Sequence, residues 1–173
     1  MAAVYEAPLA ANTTRLIGII EDWHDLEKIG SIRSTRDYYV LFALEFDAIH
    51  VHFGQATAYV GDMLNSDLVD NISGAVAGID RPATNAFFRS DDRKSPHNLY
   101  ASAEGIMEDI QKFEYNLNYS DTYNGKFKFA KDGEDLDYSK YPDAAVLYPG
   151  GKETGKPNGF SNVGSCFKYN EED

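Results

Sequence analysis

STRDYYVLFALEFDAIHVHF, residues 34–53, carries two periodicities back to back. From Arg36 to Phe46 apolar side chains fall nearly all round a helical wheel, which predicts a helix buried on most sides. Ser34 and Thr35 precede it as N-cap candidates, and Asp37 puts an acid in the first turn. Asp47 ends the run. From Ala48 to Phe53 the period drops to two, with Ile49, Val51 and Phe53 on one face and Ala48, His50 and His52 on the other, so a strand follows. Gly54 then turns the chain into a second short helix near Gln55–Leu64. Upstream, residues 14–20 (TRLIGII) are apolar on both faces and read as a central strand. The order strand, helix, strand, helix predicts an α+β fold, a mixed β-sheet with flanking helices.

Downstream, Asp67–Thr84 reads as an edge strand or hairpin, and Phe87 and Phe88 lead into a turn-rich segment, RSDDRKSPHNLY (89–100). Ser102 is the preferred cap of a helix whose Ile106, Ile110 and Phe113 recur at helical spacing; Ser95 before Pro96 competes as its start. Composition shifts near Tyr115 toward polar, acidic, tyrosine-rich sequence. There Phe127 and Phe129 predict a short strand, and Ala144–Tyr148 and Phe160–Tyr169 predict two more. Residues 1–118 are therefore expected to form the main sheet-and-helix domain. Residues 119–173 are expected to form an acidic β-rich segment, the start of a second domain.

Charge narrows the partners. Sixteen Lys and Arg face 28 Asp and Glu, a formal net charge of -12, which disfavours nucleic acid, whose binders neutralise phosphate. All six arginines lie at or before Arg93. Arginine is the better planar ligand for carboxylate and phosphate, so an anion site belongs in the first hundred or so residues. Cys166 is the only cysteine, so neither an internal disulfide nor a cysteine zinc site can form. MAAVYEAPLA lacks the pattern of a signal peptide. No apolar run reaches the ~18 residues of a membrane-spanning helix, and the chain is expected to be soluble.

Two cationic clusters stand out against that acidic background. Arg33, Ser34 and Arg36 surround the start of the first helix, where unsatisfied N–H groups and the helix dipole favour an anion. Arg89, Arg93, Lys94 and His97 form the second, with Asn98 and Tyr100 able to add directional hydrogen bonds. The competing structural reading pairs Arg33 and Arg36 with Glu21, Asp22 or Asp37, and leaves the second cluster as a solvated turn partly neutralised by Asp91 and Asp92. His50 and His52 project to one face and could share a zinc ion with His97, His24 or Asp22. Such a pair with no required third ligand is more often hydrogen-bonded internally, so neither metal nor cofactor is expected. If there is catalysis, His52 and His97 are its candidates as proton carriers. Ser34 or Ser102 with His97 could be drawn as a triad, but no Gly-x-Ser-x-Gly elbow, Walker loop or G-x-G-x-x-G occurs.

Several blocks occur in a set order: Val4-Tyr5-Glu6-Ala7, Thr14-Arg15, residues 29–36 (IGSIRSTR), 47–52 (DAIHVH) and 93–100 (RKSPHNLY). In that order they resemble the YerB-like lipoproteins, bacterial envelope proteins built around a domain of unknown function, over most of residues 3–113. The last ~30 residues look like the opening of that family's C-terminal domain. The resemblance implies an extracytoplasmic, lipid-anchored parent with an upstream lipobox cysteine and further sequence downstream, and no established activity. It also implies an aromatic residue where His50 stands, while His52 matches. The combined expectation is an envelope domain that binds an anionic small molecule, cell-wall polymer or envelope protein through Arg33, Arg36, Arg93, Lys94 and His97. The alternative is an envelope hydrolase or transferase in which arginines hold an anionic substrate and His97 or His52 moves protons.

Overall fold

The computed structural model describes residues 2–10, 13–74, 84–127, 130–131, 133–142, 146–147 and 167–168. The chain divides into two compact units, one of residues 1–2 and 19–126, the other of residues 3–18 and 127–173.

In the second unit, β1 (Ala2–Ala10) pairs with β2 (Thr13–Ile20), which runs on into the first unit. The central-strand expectation for residues 14–20 gives way to this two-stranded sheet. Leu16 is 66% exposed, so an apolar run on both faces does not place this strand inside a sheet. The Thr14 hydroxyl donates to Glu6 Oε1 at 2.7 Å. Two further short strands, Val146–Leu147 and Phe167–Lys168, pair antiparallel. They fall within the two segments expected to be strands there; most of those segments, and Phe129, lie outside the described residues.

The first unit holds the mixed fold. Its elements are β3 (Ile29–Gly30), α1 (Asp37–Glu45), β4 (His50–His52), α2 (Thr57–Asn65), β5 (Asn71–Ser73), β6 (Phe87–Arg89), β7 (Leu99–Ala101) and α3 (Ala103–Lys112). β3, β7 and β6 form one antiparallel sheet in that order. β4 and β5 pair in parallel, with His50 beside Asn71, Val51 beside Ile72 and His52 beside Ser73. The extended residues 29–35 stitch the two together. Ile32 donates its N–H to Leu99 O at 2.8 Å, while Phe53 donates to Arg33 O at 3.0 Å and Thr35 to Gly54 O at 2.9 Å. With helices packed around mixed pairing, the fold is α+β.

Two apolar clusters anchor this unit. Val40, Ala43, Val60, Leu64 and Val69 join α1 to α2. Ile72, Ala86, Ala101, Ile106 and Ile110 join the strands to α3, with Ile49 and Val51 packed against them. Each fully buried aliphatic side chain contributes roughly 1.5–3 kcal/mol. Because side chains alternate along β4, the face opposite Ile49 and Val51 is the one that carries His50 and His52.

Helix starts divide by whether the cap is local. The Ser102 hydroxyl accepts from Gly105 N at 3.1 Å and caps α3 as expected; no helix begins at Pro96. For α1 the expectation needs correcting. Its N-cap is Arg36, in extended conformation and without a side-chain cap. The Thr35 hydroxyl sits instead 2.7 Å from His50 Nε2. Nor is α1 buried all round, since Leu41 is 52% exposed.

Candidate functional site

β6 and β7 form a hairpin whose loop, residues 90–98, contains most of the second cationic cluster. Bonds within the hairpin hold it. Ser90 donates its N–H to Asn98 O at 2.9 Å and His97 to Lys94 O at 3.0 Å. Asn98 ties both sides together, accepting from Arg89 Nη1 at 2.8 Å and donating from Nδ2 to Ser90 O at 3.1 Å. Two cations from earlier in the chain brace the loop. Lys28 Nζ reaches Asp92 at 2.5 Å and Ser90 Oγ at 3.1 Å, and lies 4.1 Å from the centre of the Tyr100 ring. That hydrogen bond from Lys28, helped by Ser90, holds the Asp92 carboxyl below the usual carboxylate range. Arg33 Nη1 donates to Pro96 O at 2.7 Å. The first cationic cluster therefore does meet the second, through one guanidinium on one carbonyl.

The other candidates separate into exposed and engaged. Arg93, Lys94 and His97 are exposed. Among the described residues the Lys94 and His97 side chains make no hydrogen bond or ion pair, and Arg93 acts on Asp92 only at a distance. Asn98 spends both ends of its amide inside the hairpin, and Tyr100 is only 6% exposed. Arg36 folds back, with Nη1 donating to Thr35 O at 2.7 Å. Ser34 is half-buried in the extended segment leading to α1. The surface that remains is Arg93, Lys94 and His97, with Arg33 at its base.

The histidine pair lies elsewhere in environment. His50 and His52 stack with ring centres 5.1 Å apart, both buried, His52 at 2% exposure. His52 Nδ1 donates to Gly54 O at 3.0 Å. Burial first, and then the neighbouring His52, push His50 down to about 3. His52 is also lowered by burial, against which the Gly54 carbonyl and the Asn71 amide act to hold it up. His97 is at the surface and His52 inside, so the two candidate proton carriers do not share a surrounding. His24 stacks on Trp23 at 4.5 Å, and no group of three His, Cys, Asp or Glu among the described residues could hold a metal.

Sequence inspection passed over Lys28, Ser90 and Asn71. Lys28 is 64 positions from its carboxylate partner, a separation at which no local pattern marks a pair. Asn71 carried no more than a weak signal, a polar residue opening the short strand Asn71-Ile72-Ser73, whose one apolar residue is Ile72.

Among the described residues no helix is long and apolar enough to cross a membrane. Residues 2–116 match the N-terminal domain of DUF3048, described as a protein of unknown function. Over 114 residues, 66% of this chain and 32% of the relative, the sequence is 32% identical to "Putative lipoprotein YerB" of Bacillus subtilis (strain 168). The crystal structure of the YerB protein from Bacillus subtilis superposes with a TM-score of 0.56 at 31% identity, over 67% of this chain and 38% of that one. The chain spans about a third of the length of these relatives. With well over half of its residues matched and the fold shared, the chain belongs to the DUF3048 family, whose N-terminal domain it carries.

Proposed function

We propose that this domain is a non-catalytic binding module of the bacterial cell envelope, and that the β6–β7 loop recognises an extended polyanion. The observation that carries the reading is the contrast within the loop. Its backbone is held by Asn98 and Arg33 and its Ser90 and Asp92 side chains by Lys28, while Lys94 and His97, beside Arg93, present side chains with no bonded partner among the described residues. A loop ordered before binding loses less entropy when a ligand arrives. Cations that stay unpaired in a chain of net charge -12 gain most from an external anion. An extended ligand suits the surface better than a small one. Two cavities among the described residues, of about 220 and 380 Å³, are lined elsewhere, around Asp47 with Asn116 and around His24 with Glu104. The name of the Bacillus subtilis relative supports an extracytoplasmic, membrane-anchored parent.

Binding of the full chain to poly(glycerol phosphate), with dextran as the neutral control, tests the reading. Wild type should bind the polyanion and not dextran, weakening at least tenfold between 50 and 200 mM salt as counterions compete. Arg93→Ala/Lys94→Ala should lose about tenfold at low salt. Equal binding by wild type and the double variant would remove the loop from the site, and turnover of the polymer lost in His97→Ala would replace binding by catalysis.

A further inference from the structure

The buried His50–His52 cluster is one proton short of a closed hydrogen-bond network. His52 Nδ1 faces the Gly54 carbonyl at 3.0 Å, so a neutral ring keeps its single proton there and leaves Nε2 as a bare acceptor. His52 Nε2 is buried without a partner. The Asn71 amide, which acts on the His52 ring, is fixed in orientation. Its Nδ2 donates to Leu64 O at 3.0 Å and Val69 O at 3.3 Å, so its oxygen cannot be exchanged for a donor. Asn71 Oδ1 is likewise buried and unpartnered. The other neutral tautomer would supply Asn71 but set a lone pair against Gly54. Only the imidazolium donates on both sides.

We infer that His52 is a native-state proton acceptor: acidification places a proton on Nε2, and the imidazolium then ties Gly54 to Asn71 while His50 stays neutral. The tie brackets one element. Gly54 lies just before α2, and Asn71 holds the carbonyl of Leu64 near its end, so the β4–α2–β5 crossover is what the proton tightens. Other charges do not compete for the role. On the same strand the only titratable neighbour is His50, whose Nε2 is taken by Thr35 Oγ1. The Arg36 guanidinium, beyond Thr35, is bonded to Thr35 O. From β5 the facing groups, Asn71 and Ser73, carry no charge. The carboxylates of α1 and α2, Asp37, Glu45 and Asp62, are exposed and do not act on either ring. Two adjacent buried rings do not both take a proton, because each charge opposes the other.

Nitrogen-resolved NMR of the imidazole rings tests this on the intact chain. At pH 8 His52 should show the Nδ1–H tautomer. On acidification its Nε2 shift should move to the imidazolium value while the protein is still folded, with His50 neutral throughout. Asn71→Ala should lower the proton affinity of His52 about tenfold, one pH unit. Should that variant fail to fold, His50→Phe serves instead, and the His52 titration must persist in it. An Nε2–H tautomer at pH 8, unfolding before any uptake, or a titration that vanishes in His50→Phe would each overturn the assignment.

Discussion

His50 should make this protein acid-labile, and replacing it should remove a defined part of that lability. In the folded state burial holds its ring down to about 3, against the ordinary 6.5 of a solvated imidazole. Between those values the unfolded chain binds a proton that the folded chain refuses. Stability therefore rises with pH across this window and is lost as pH falls from about 6.5 toward 3. The slope for one such group approaches 1.4 kcal/mol per pH unit below pH 6.5, or roughly 2–2.5 kcal/mol between pH 6.5 and 4.5. That is a large share of the 5–15 kcal/mol typical of a domain. Urea melts at half-unit pH steps, for wild type and His50→Phe, read it directly. With m of roughly 1–3 kcal/mol/M, the two midpoints should diverge by about 1–2 M on going to pH 4.5. His50→Phe carries its own pH-independent cost, about 1–3 kcal/mol for a changed ring in a packed site. Thr35 Oγ1 keeps the Arg36 carbonyl at 3.2 Å as an alternative acceptor. Shifted groups remote from the histidine pair are common to both proteins and cancel in the difference. Asp92 and Asp137, held low by their hydrogen bonds, lose stability in acid, whereas Asp109, raised by burial, acts in the opposite sense. Curves that fall in parallel from pH 7 to 4.5 would refute the claim that His50 is held neutral.

Truncation of Ile72, fully buried between the sheet and α3, should cost about 2–5 kcal/mol as Ile72→Ala, seen as a lower urea midpoint at unchanged m. Ser102→Ala should cost about 1 kcal/mol in the same assay, because the Gly105 amide loses its acceptor. Gly105→Ala sets two effects against each other. Alanine gains about 1 kcal/mol in helix propensity, but its Cβ would lie 2.7 Å from the Ala86 Cα. Backbone cannot yield as a side-chain tip can, so the net result should be a loss of about 1–3 kcal/mol. Lys28→Met should raise the Asp92 pKa toward the ordinary carboxylate value, followed by NMR titration of its side-chain carboxyl, since Lys28 supplies the main bond that lowers it.

What the sequence made legible divides by the range of the interaction. The Ser102 cap is read correctly because donor and acceptor are three residues apart, and nothing distant competes for the hydroxyl. Thr35 has the same local credentials and does not cap α1, because His50, fifteen positions on, takes its oxygen. The period of two from Ala48 to Phe53 fixes that His50 and His52 share a face, and their rings do stack. It cannot say that this face is the buried one, since hydropathy alone would have put Ile49 and Val51 inside and the histidines out. Both faces of β4 are in fact covered, and the polar face is tolerated because Thr35 partners His50 and the Gly54 carbonyl partners His52. The cationic clusters follow the same logic. Each is visible as a local excess of charge, but their meeting depends on Arg33 reaching a carbonyl 63 positions away. Which arginines remain exposed is decided by bonds nearer in sequence, with Arg89 consumed by Asn98 nine positions on and Arg36 by the adjacent Thr35 carbonyl. A cationic motif thus locates a loop. The hydrogen bonds that use up some of its members determine which of them face solvent, and in this loop they leave Arg93, Lys94 and His97.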